Sequence, residues 1–319
     1  MNFKNKKVLV TGGTGFVGSH LVEALIKEGA AVVTTFQSLN PMSYFFTQKL
    51  NKKVIMEQVD LVDYYKVMDL VTKFEIEYIF HLGAQALVGV AYCNPRRTYE
   101  SNIMGTVNVL EAARLYPGVK AVVVASSDKA YGKAGNKKYT EEMSLRGDHP
   151  YEASKSSADL ISQSYYKTYD LPVTIARFGN IYGEGDLHFS RIFPGMIQAI
   201  IDNKVLDIRS DGKFVRDYLY VKDVVNGYLL LAKNINKAKG QAYNFGSSNT
   251  LSVIELIQKI EKSLKKNIKY EVLNISQNEI PYQSLNFDKV KKQFGWSPNK
   301  TINKTISNMY GWYEDILCK

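Results

Sequence analysis

Short apolar runs alternate with longer amphipathic stretches along the first 245 residues of the chain. The runs are rich in Val, Ile and Ala, as in parallel strands whose two faces are both covered. The predicted strands are 7–10, 31–35, 54–59, 78–80, 120–125, 173–177 and 242–245. Between them, apolar residues recur every three or four positions, which is typical of helices. The pattern predicts an α/β fold built on a doubly wound parallel sheet of the Rossmann type.

A glycine-rich loop follows the first predicted strand. Residues 11–18 read TGGTGFVG, and a helical pattern begins directly after them. Glycines let the backbone approach a pyrophosphate closely, and the first turn of a helix offers N–H groups to that anion. The loop therefore predicts a dinucleotide site. Its candidate cofactor ligands are Gly12, Thr14, Gly15, Phe16 and Val17.

The end of the second strand leaves the choice between NAD and NADP open. An acidic residue there would favour NAD and a nearby Arg would favour NADP, but residues 35–38 read TFQS. Asp60, after the third strand, is a candidate acceptor for the adenine amino group, with a helix N-cap as an equally good alternative. Both cofactors remain candidates.

Three further backbone segments are expected to line the cofactor. Leu61 follows the third strand, and Leu82 and Ala84 follow the fourth, where small residues let the chain pass close to a dinucleotide. Asn102 lies inside a helix predicted over 95–116, and because Asn is a poor helix former we expect it to have a polar function at the site, with an ordinary exposed Asn as the alternative. His81 is interpreted as a packed residue at a strand end rather than as a catalyst.

Two polar stretches after the fifth strand carry the candidate catalytic groups. Residues 126–132 read SSDKAYG and residues 151–155 read YEASK. Asp148 and Pro150 indicate a helix start, which places Tyr151 and Lys155 one turn apart on one helix face. The candidate catalytic residues are Ser127, Asp128, Lys129, Tyr151 and Lys155.

Candidate substrate ligands lie in loops at the same edge of the predicted sheet. A glycine-rich loop, 178–186, follows the sixth strand, and open α/β sheets bind ligands at the carboxyl ends of their strands. Arginines can hold a diphosphate by bidentate hydrogen bonds. Arg216 is the favoured clamp, and Arg209 also fits an ordinary surface residue. The candidates are Gln85, Asn180, Arg191, Arg209 and Arg216.

The composition excludes several classes of protein. The net charge is +10, but the lysines are scattered, which predicts a solvated surface that attracts an anionic small substrate rather than nucleic acid. Cys93 and Cys318 match no metal-ligand spacing, so no metal site is expected. No stretch has the pattern of a signal peptide or a membrane span. We therefore expect a cytoplasmic protein.

Seven motifs resemble the extended short-chain dehydrogenase/reductase family. In order, they are TGGTGFVG, HLGAQ, NIMGT, SSDKAYG, YEASK, RFGNIYG and RDYLYVKD. The resemblance covers roughly residues 5–245 and implies an NAD(P)-binding Rossmann domain over 1–178 and about 215–245. It implies a smaller α/β domain for a nucleotide-sugar over 179–214 and 246–319. It also implies a homodimer formed through helices 95–116 and 151–169.

Within that family, Ser127-Asp128-Lys129 is similar to the sugar-nucleotide 4,6-dehydratases. The GEGD…RIFP segment looks most like the CDP-glucose type, and Lys129 stands where dTDP-glucose enzymes usually have Glu. The resemblance implies that Tyr151, with Lys155 and Ser127, oxidises C4 of the hexose. Asp128 would then be the acid at C6, and Lys129 the base at C5 or a cation that stabilises the enolate.

Two other functions fit the same residues. A nucleotide-sugar 4-epimerase or C4 dehydrogenase would use Tyr151 and Lys155 without an elimination. A protein that binds NAD(P) without turnover would need only the glycine loop. The nucleotide base and the hexose stay open.

Overall fold

The structure is a computed structural model that describes residues 2–276 and 279–318. Its strands are β1 (Lys7–Thr11), β2 (Ala31–Phe36), β3 (Ile55–Gln58), β4 (Tyr78–His81), β5 (Ala121–Ser127), β6 (Val173–Phe178), β7 (Asn180–Tyr182), β8 (Leu206–Ile208), β9 (Val215–Tyr220), β10 (Ala242–Phe245), β11 (Thr250–Ser252), β12 (Tyr270–Val272) and β13 (Tyr282–Gln283). Its helices are α1 (Phe16–Lys27), α2 (Tyr44–Thr47), α3 (Tyr64–Lys73), α4 (Val88–Cys93), α5 (Pro95–Tyr99), α6 (Gly105–Leu115), α7 (Pro150–Tyr169), α8 (Ile192–Asp202), α9 (Val221–Lys233), α10 (Ile235–Ala238), α11 (Val253–Leu264), α12 (Asp288–Phe294) and α13 (Ile302–Leu317).

Seven parallel strands form the central sheet, in the order β3-β2-β1-β4-β5-β6-β10. Side chains alternate between its two faces: Val8 and Val10 pack with α1 and α9, while Leu9 packs with α3 and α6. Apolar residues are needed on both faces, which explains the continuous runs in the sequence. The predicted doubly wound fold is confirmed. The strand order reverses between β1 and β4, and ligands bind open sheets at such a switch point.

A smaller sheet is built around β9. Strand β11 pairs with it antiparallel, and β7 and β13 pair with it in parallel, while β8 and β12 form a separate pair. The segment 215–245, expected in the larger domain, is therefore divided. Strand β9 belongs to the small sheet because its edges are occupied there, whereas α9 and β10 belong to the large one.

The chain passes between the two sheets with almost no connecting residues. Gly179 alone separates β6 of the large sheet from β7 of the small sheet. Strand β9 ends at Tyr220, and α9 begins at the next residue, Val221.

The helix predicted over 95–116 is interrupted. Residues Glu100–Met104 between α5 and α6 form a π-helical turn, a feature often found at functional sites. Gly105 follows the turn and packs against Leu61, where a Cβ would lie 3.1 Å from that side chain. The turn carries Asn102, which is buried.

In the described part of the chain, no helix is both long and apolar enough to cross a membrane. The same residues contain no group of three His, Cys, Asp or Glu side chains placed to hold a metal ion.

Candidate active site

The glycine loop packs so closely on neighbouring backbone that a side chain at two of its positions would collide with it. Gly12 has φ +70°, and a Cβ there would lie 2.9 Å from the Cα of Gly83. A Cβ on Gly18 would lie 2.2 Å from the Gly12 carbonyl. Helix α1 starts after Gly15, which has no side chain to cap the first N–H groups. The loop, with Thr14, Phe16 and Val17, therefore fits the pyrophosphate of a dinucleotide.

Asp60 is held at the end of β3 by three donors. Its Oδ2 accepts from Arg97 at 2.8 Å, and its Oδ1 accepts from Gln37 at 3.2 Å and from the Val62 N–H at 3.1 Å. Burial raises the pKa of Asp60, but these hydrogen bonds bring it below its ordinary value. The N-cap alternative is wrong, because the cap of α3 is Asp63, three residues later.

Asn102 connects the exit of β4 to α7, the helix that carries the candidates Tyr151 and Lys155. Its Oδ1 accepts from the Gln85 N–H at 2.7 Å, and its Nδ2 donates to the Gln85 carbonyl at 3.0 Å and to Ser154 Oγ at 2.9 Å. Gln85, a predicted substrate ligand, uses its side-chain amide on the backbone of Leu87. Leu82 is half-buried and Ala84 exposed at this exit.

The carboxylate of Asp128 is buried beside two of the predicted catalytic groups. Asp128 is 1% exposed, and its Oδ1 accepts from Ser127 Oγ at 3.0 Å. Lys129 Nζ lies 3.7 Å from the same oxygen. Among the described residues, Oδ2 of Asp128 has no hydrogen-bond partner. Buried polar atoms in proteins nearly always have a hydrogen-bond partner, so this oxygen is a candidate contact for a ligand or an ordered water.

The helix start that brings Tyr151 to the site is displaced by one residue from the predicted cap. Helix α7 begins at Pro150 with His149 at the N-cap, and that side chain makes no cap hydrogen bond. Asp148 contributes its backbone N–H instead, which donates to Glu152 Oε2 at 3.1 Å.

The phenol of Tyr151 lies within the electrostatic reach of the other candidates. Burial raises the pKa of Tyr151 to about 12, against the opposing effects of the Arg191 cation and the Ser127 hydroxyl. The charge of Asp128 adds to the rise. Burial lowers the pKa of Lys155 to about 8, and its Nζ donates to the Ala125 carbonyl at 3.1 Å.

A second buried carboxylate, Asp217, lies behind Asp128. Its oxygens accept hydrogen bonds from Thr250, Ser284 and the Leu285 N–H. Burial raises the pKa of Asp217, and the neighbouring Asp128 adds to the rise. Asp217 is fully satisfied by protein donors, whereas Asp128 keeps one oxygen without a partner among the described residues.

The three predicted arginines do not form one clamp. Arg191 bonds both carboxylate oxygens of Asp186 at 3.0 Å and acts on the phenol of Tyr151. Arg216, on β9, forms an ion pair with Glu279 at 3.3 Å. Arg209 is exposed and follows β8 in the separate two-stranded sheet.

Sequence reasoning missed two amides near Arg216. In register, Gln283 lies opposite Arg216 and Asn180 opposite Tyr218, and the Asn249 carbonyl accepts from the Tyr218 N–H at 3.1 Å. The side-chain nitrogens of Asn180, Asn249 and Gln283 are buried without a partner in the described chain. Unpaired buried donors fit an oxygen-rich ligand such as a diphosphate.

The chain is similar to known proteins over nearly its whole length. The family model described as GDP-mannose 4,6 dehydratase matches residues 9–309. The CDP-glucose 4,6-dehydratase of Salmonella typhimurium is 29% identical over 98% of this chain and 91% of its own length. The UDP-glucuronate 4-epimerase of Thermodesulfobacterium geofontis is 28% identical over 96% of both chains. The dTDP-glucose 4,6-dehydratase structure from Bacillus anthracis in complex with NAD has a TM-score of 0.84 at 28% identity, covering 97% of both chains.

Proposed function

Since the chain belongs to the GDP-mannose 4,6-dehydratase family, which places it among sugar-nucleotide dehydratases and epimerases, we propose that it is a nucleotide-sugar 4,6-dehydratase. Its substrate would be a nucleoside diphosphate hexose of the CDP-glucose kind, and its product a 4-keto-6-deoxy sugar. The observation that carries the proposal is the buried carboxyl group of Asp128, which has one oxygen without a partner in the described chain and lies beside the amine of Lys129. A 4-epimerase has no step that needs this pair.

The glycine loop and Asp60 would hold NAD or NADP, as the cradle around Gly12 and Gly18 indicates. When bound, the oxidised cofactor supplies a positive charge beside the phenol and a carbon that exchanges hydride with C4 and then C6 of the sugar. The structure from Bacillus anthracis was determined with NAD. No acidic residue at the end of β2 selects between the two cofactors.

Tyr151 is proposed to take the proton of the sugar 4-hydroxyl. Its pKa of about 12 must fall by about four units for this role near pH 8, which requires about 5 kcal/mol. One cation about 5 Å away supplies about 3 kcal/mol at an effective dielectric of 20. More than one further positive charge is therefore needed, because the value of about 12 already includes the effect of Arg191. Lys155, one turn along α7, and the positive charge of the oxidised cofactor would have to supply it.

The elimination is assigned to Asp128 and Lys129. A ketone at C4 acidifies the C5 proton, which passes to Lys129. Asp128 donates a proton to the departing 6-hydroxyl, so that one water leaves and a C5–C6 double bond forms. Both groups lie on the short turn Asp128–Tyr131 after β5, so a single rigid element positions them.

The diphosphate is assigned to the amides around β9 and to Arg216. The three unpartnered amide nitrogens are neutral donors, and Arg216 supplies a charge that the ion pair with Glu279 presently neutralises. When the substrate binds, its diphosphate would replace the Glu279 carboxylate as the anion paired with Arg216.

A homodimer is proposed through the surface of α5, the π-helical turn, α6 and α7. This surface exposes several large apolar side chains, and an exposed apolar patch marks a protein–protein interaction site. They are Tyr99, Met104, Leu115, Leu160 and Tyr169.

The test is a panel of CDP-, UDP-, GDP- and dTDP-hexoses incubated with the purified chain and NAD or NADP, with products analysed by mass spectrometry. The proposal requires a product that has lost one water from one of these substrates. A product of unchanged mass with inverted C4 would identify an epimerase, and oxidised product with stoichiometric reduced cofactor would identify a dehydrogenase. Tight cofactor binding without reaction across the panel would indicate a binding protein.

A further inference from the structure

Buried hydrogen bonds connect the end of β1 with the π-helical turn. The Gly83 N–H donates to Thr11 Oγ1 at 2.9 Å, and this hydroxyl lies 2.9 Å from Nδ1 of His81. Nε2 of His81 lies 3.0 Å from Thr106 Oγ1, which donates to the Asn102 carbonyl at 2.6 Å. We name this series, from Gly83 to Asn102, the His81 relay.

The two ends of the relay fix the direction of every hydrogen bond in it. Thr106 has one hydroxyl hydrogen and gives it to a carbonyl, so its oxygen must accept from Nε2–H of His81. A neutral ring protonated at Nε2 has an acceptor at Nδ1, so Thr11, whose oxygen also accepts from the Gly83 N–H, donates its own hydrogen to Nδ1. A neutral imidazole has one donor and one acceptor nitrogen, and only the Nε2–H tautomer satisfies both neighbours.

The surroundings keep the His81 ring neutral. His81 is 3% exposed, and burial, with a smaller effect of the nearby Lys155 cation, lowers its pKa to about 3. A protonated ring would present a second N–H to Thr11, whose hydroxyl hydrogen would then have no acceptor.

Asn102 extends the connection to the backbone of Tyr151, the residue that carries the phenol. Its side chain holds the backbone of Gln85 through both amide groups and donates to Ser154 Oγ at 2.9 Å. Ser154 Oγ donates in turn to the Tyr151 carbonyl at 2.7 Å. The hydrogen bonds thus run without interruption from the strand that precedes the glycine loop to the backbone of Tyr151.

We infer that His81, as its neutral Nε2–H tautomer, is a positioning residue. It holds the π-helical turn in place relative to the end of β1 that precedes the glycine loop. Through Asn102 it also positions the backbones of Gln85 and Tyr151. The imidazole belongs to β4 and bridges Thr11 of β1 and Thr106 of α6. The inference goes beyond the proposed function and depends on it only for the kinetic test below.

The first test examines the relay without any reaction. The chain contains four histidines, so protein labelled with ¹⁵N-histidine gives few signals, and His81→Gln assigns the one of interest. We expect the Nε2–H tautomer, unprotonated down to pH 5. The Nδ1–H tautomer, or titration near pH 6.5, would overturn the inference.

The second test asks whether the relay positions the site. Thr106→Val removes the relay hydroxyl, and Thr174→Val is its matched control. Thr174 is equally buried in β6 and donates to the Gln241 carbonyl at 3.0 Å, outside the relay. We expect the backbone amide resonances of Gln85 and Ser154 to shift in Thr106→Val and not in Thr174→Val. Equal shifts in both variants, or none in Thr106→Val, would contradict the positioning role.

The kinetic test uses the same two variants and a nucleotide-hexose that the wild-type chain converts. Misplacement of a reacting group by about 1 Å costs about 100-fold in rate, so kcat of Thr106→Val should fall by about 10- to 100-fold while KM changes less than threefold. Thr174→Val should retain kcat even if its melting temperature falls. A parallel loss of stability and kcat in both variants would show a merely structural role. If the wild-type chain converts no nucleotide-hexose, the proposed function fails, and the two spectroscopic tests still decide the relay.

Discussion

Replacement of Asp128 by Asn tests the acid role with little change in shape. The Asn oxygen can still accept from Ser127, as Oδ1 does at 3.0 Å, and the amide replaces the oxygen that has no partner in the described chain. The polar contact with Lys129 at 3.7 Å is weakened, but the cost of burying an acidic group is also reduced, and these two contributions are of similar size. We therefore expect the free energy of unfolding to change by about 1 kcal/mol or less.

The effect on the elimination should be far larger. A positioned general acid contributes about 10²- to 10⁴-fold. Because Asp128 is 1% exposed, bulk water cannot take its place, and the loss should lie in the upper part of that range. We expect product formation to fall by about 10³-fold or more, equivalent to about 4 kcal/mol in the barrier.

Solvent deuterium separates the acid from the base. In deuterium oxide, Asp128→Asn should still exchange the C5 proton of the substrate through Lys129, so recovered substrate gains one deuterium without losing water. Lys129→Met should show neither exchange nor elimination. Normal product formation by Asp128→Asn, or loss of the C5 exchange in that variant, would refute the assignment of Asp128 as the acid.

Three further predictions concern binding, assembly and pH. Arg216→Met should raise KM for the nucleotide-hexose by about 10- to 100-fold, the value of one or two charge-assisted hydrogen bonds, whereas Arg209→Met on the separate sheet should change it less than twofold in the same steady-state assay. Leu160→Asp places a charge on the exposed apolar face of α7 and should convert the dimer to a monomer in sedimentation velocity; a monomeric wild-type chain would contradict the dimer. Because the pKa of His81 is lowered to about 3 in the folded chain from about 6.5 when unfolded, its contribution to stability is complete above pH 6.5 and is lost as the pH falls toward 3. This loss amounts to about 5 kcal/mol. Chemical denaturation of wild type and His81→Gln at several pH values should show a shallower acid dependence in the variant, and identical slopes would exclude the shift.

The strands of the central sheet could be predicted because each of them is covered on both faces. Burial on both sides forces continuous apolar runs such as residues 120–125, which local sequence displays directly. The candidate catalytic groups after β5 were equally accessible to sequence reasoning, because Asp128, Lys129, Tyr151 and Lys155 lie close together along the chain.

The interruption of the helix over 95–116 could not be predicted from its sequence. The apolar periodicity continues through Asn102, and the π-helical turn lies beside contacts with distant residues, such as that of Gly105 with Leu61. Asn102 itself carried a signal, as a polar residue in a helix, but its partners Gln85 and Ser154 are 17 and 52 positions away.

The diphosphate side was the least accessible to sequence reasoning. The sequence shows that an arginine is charged but not where its side chain lies. In the structure, Arg191 and Arg216 form ion pairs with carboxylates of their own chain. Asn249 and Gln283 come together with Asn180 only through the pairing of three strands around β9, which no local pattern encodes.

The two direct passages between the sheets restrict how the molecule can admit its ligands. A single residue joins β6 to β7, and none joins β9 to α9, so neither passage has the slack of a hinge. Rotation of one sheet against the other would strain both the β6–β7 junction and the β9–α9 junction. Exchange of sugar for product should therefore proceed through motion of surface loops around a rigid frame, and the dinucleotide can stay enclosed from one turnover to the next.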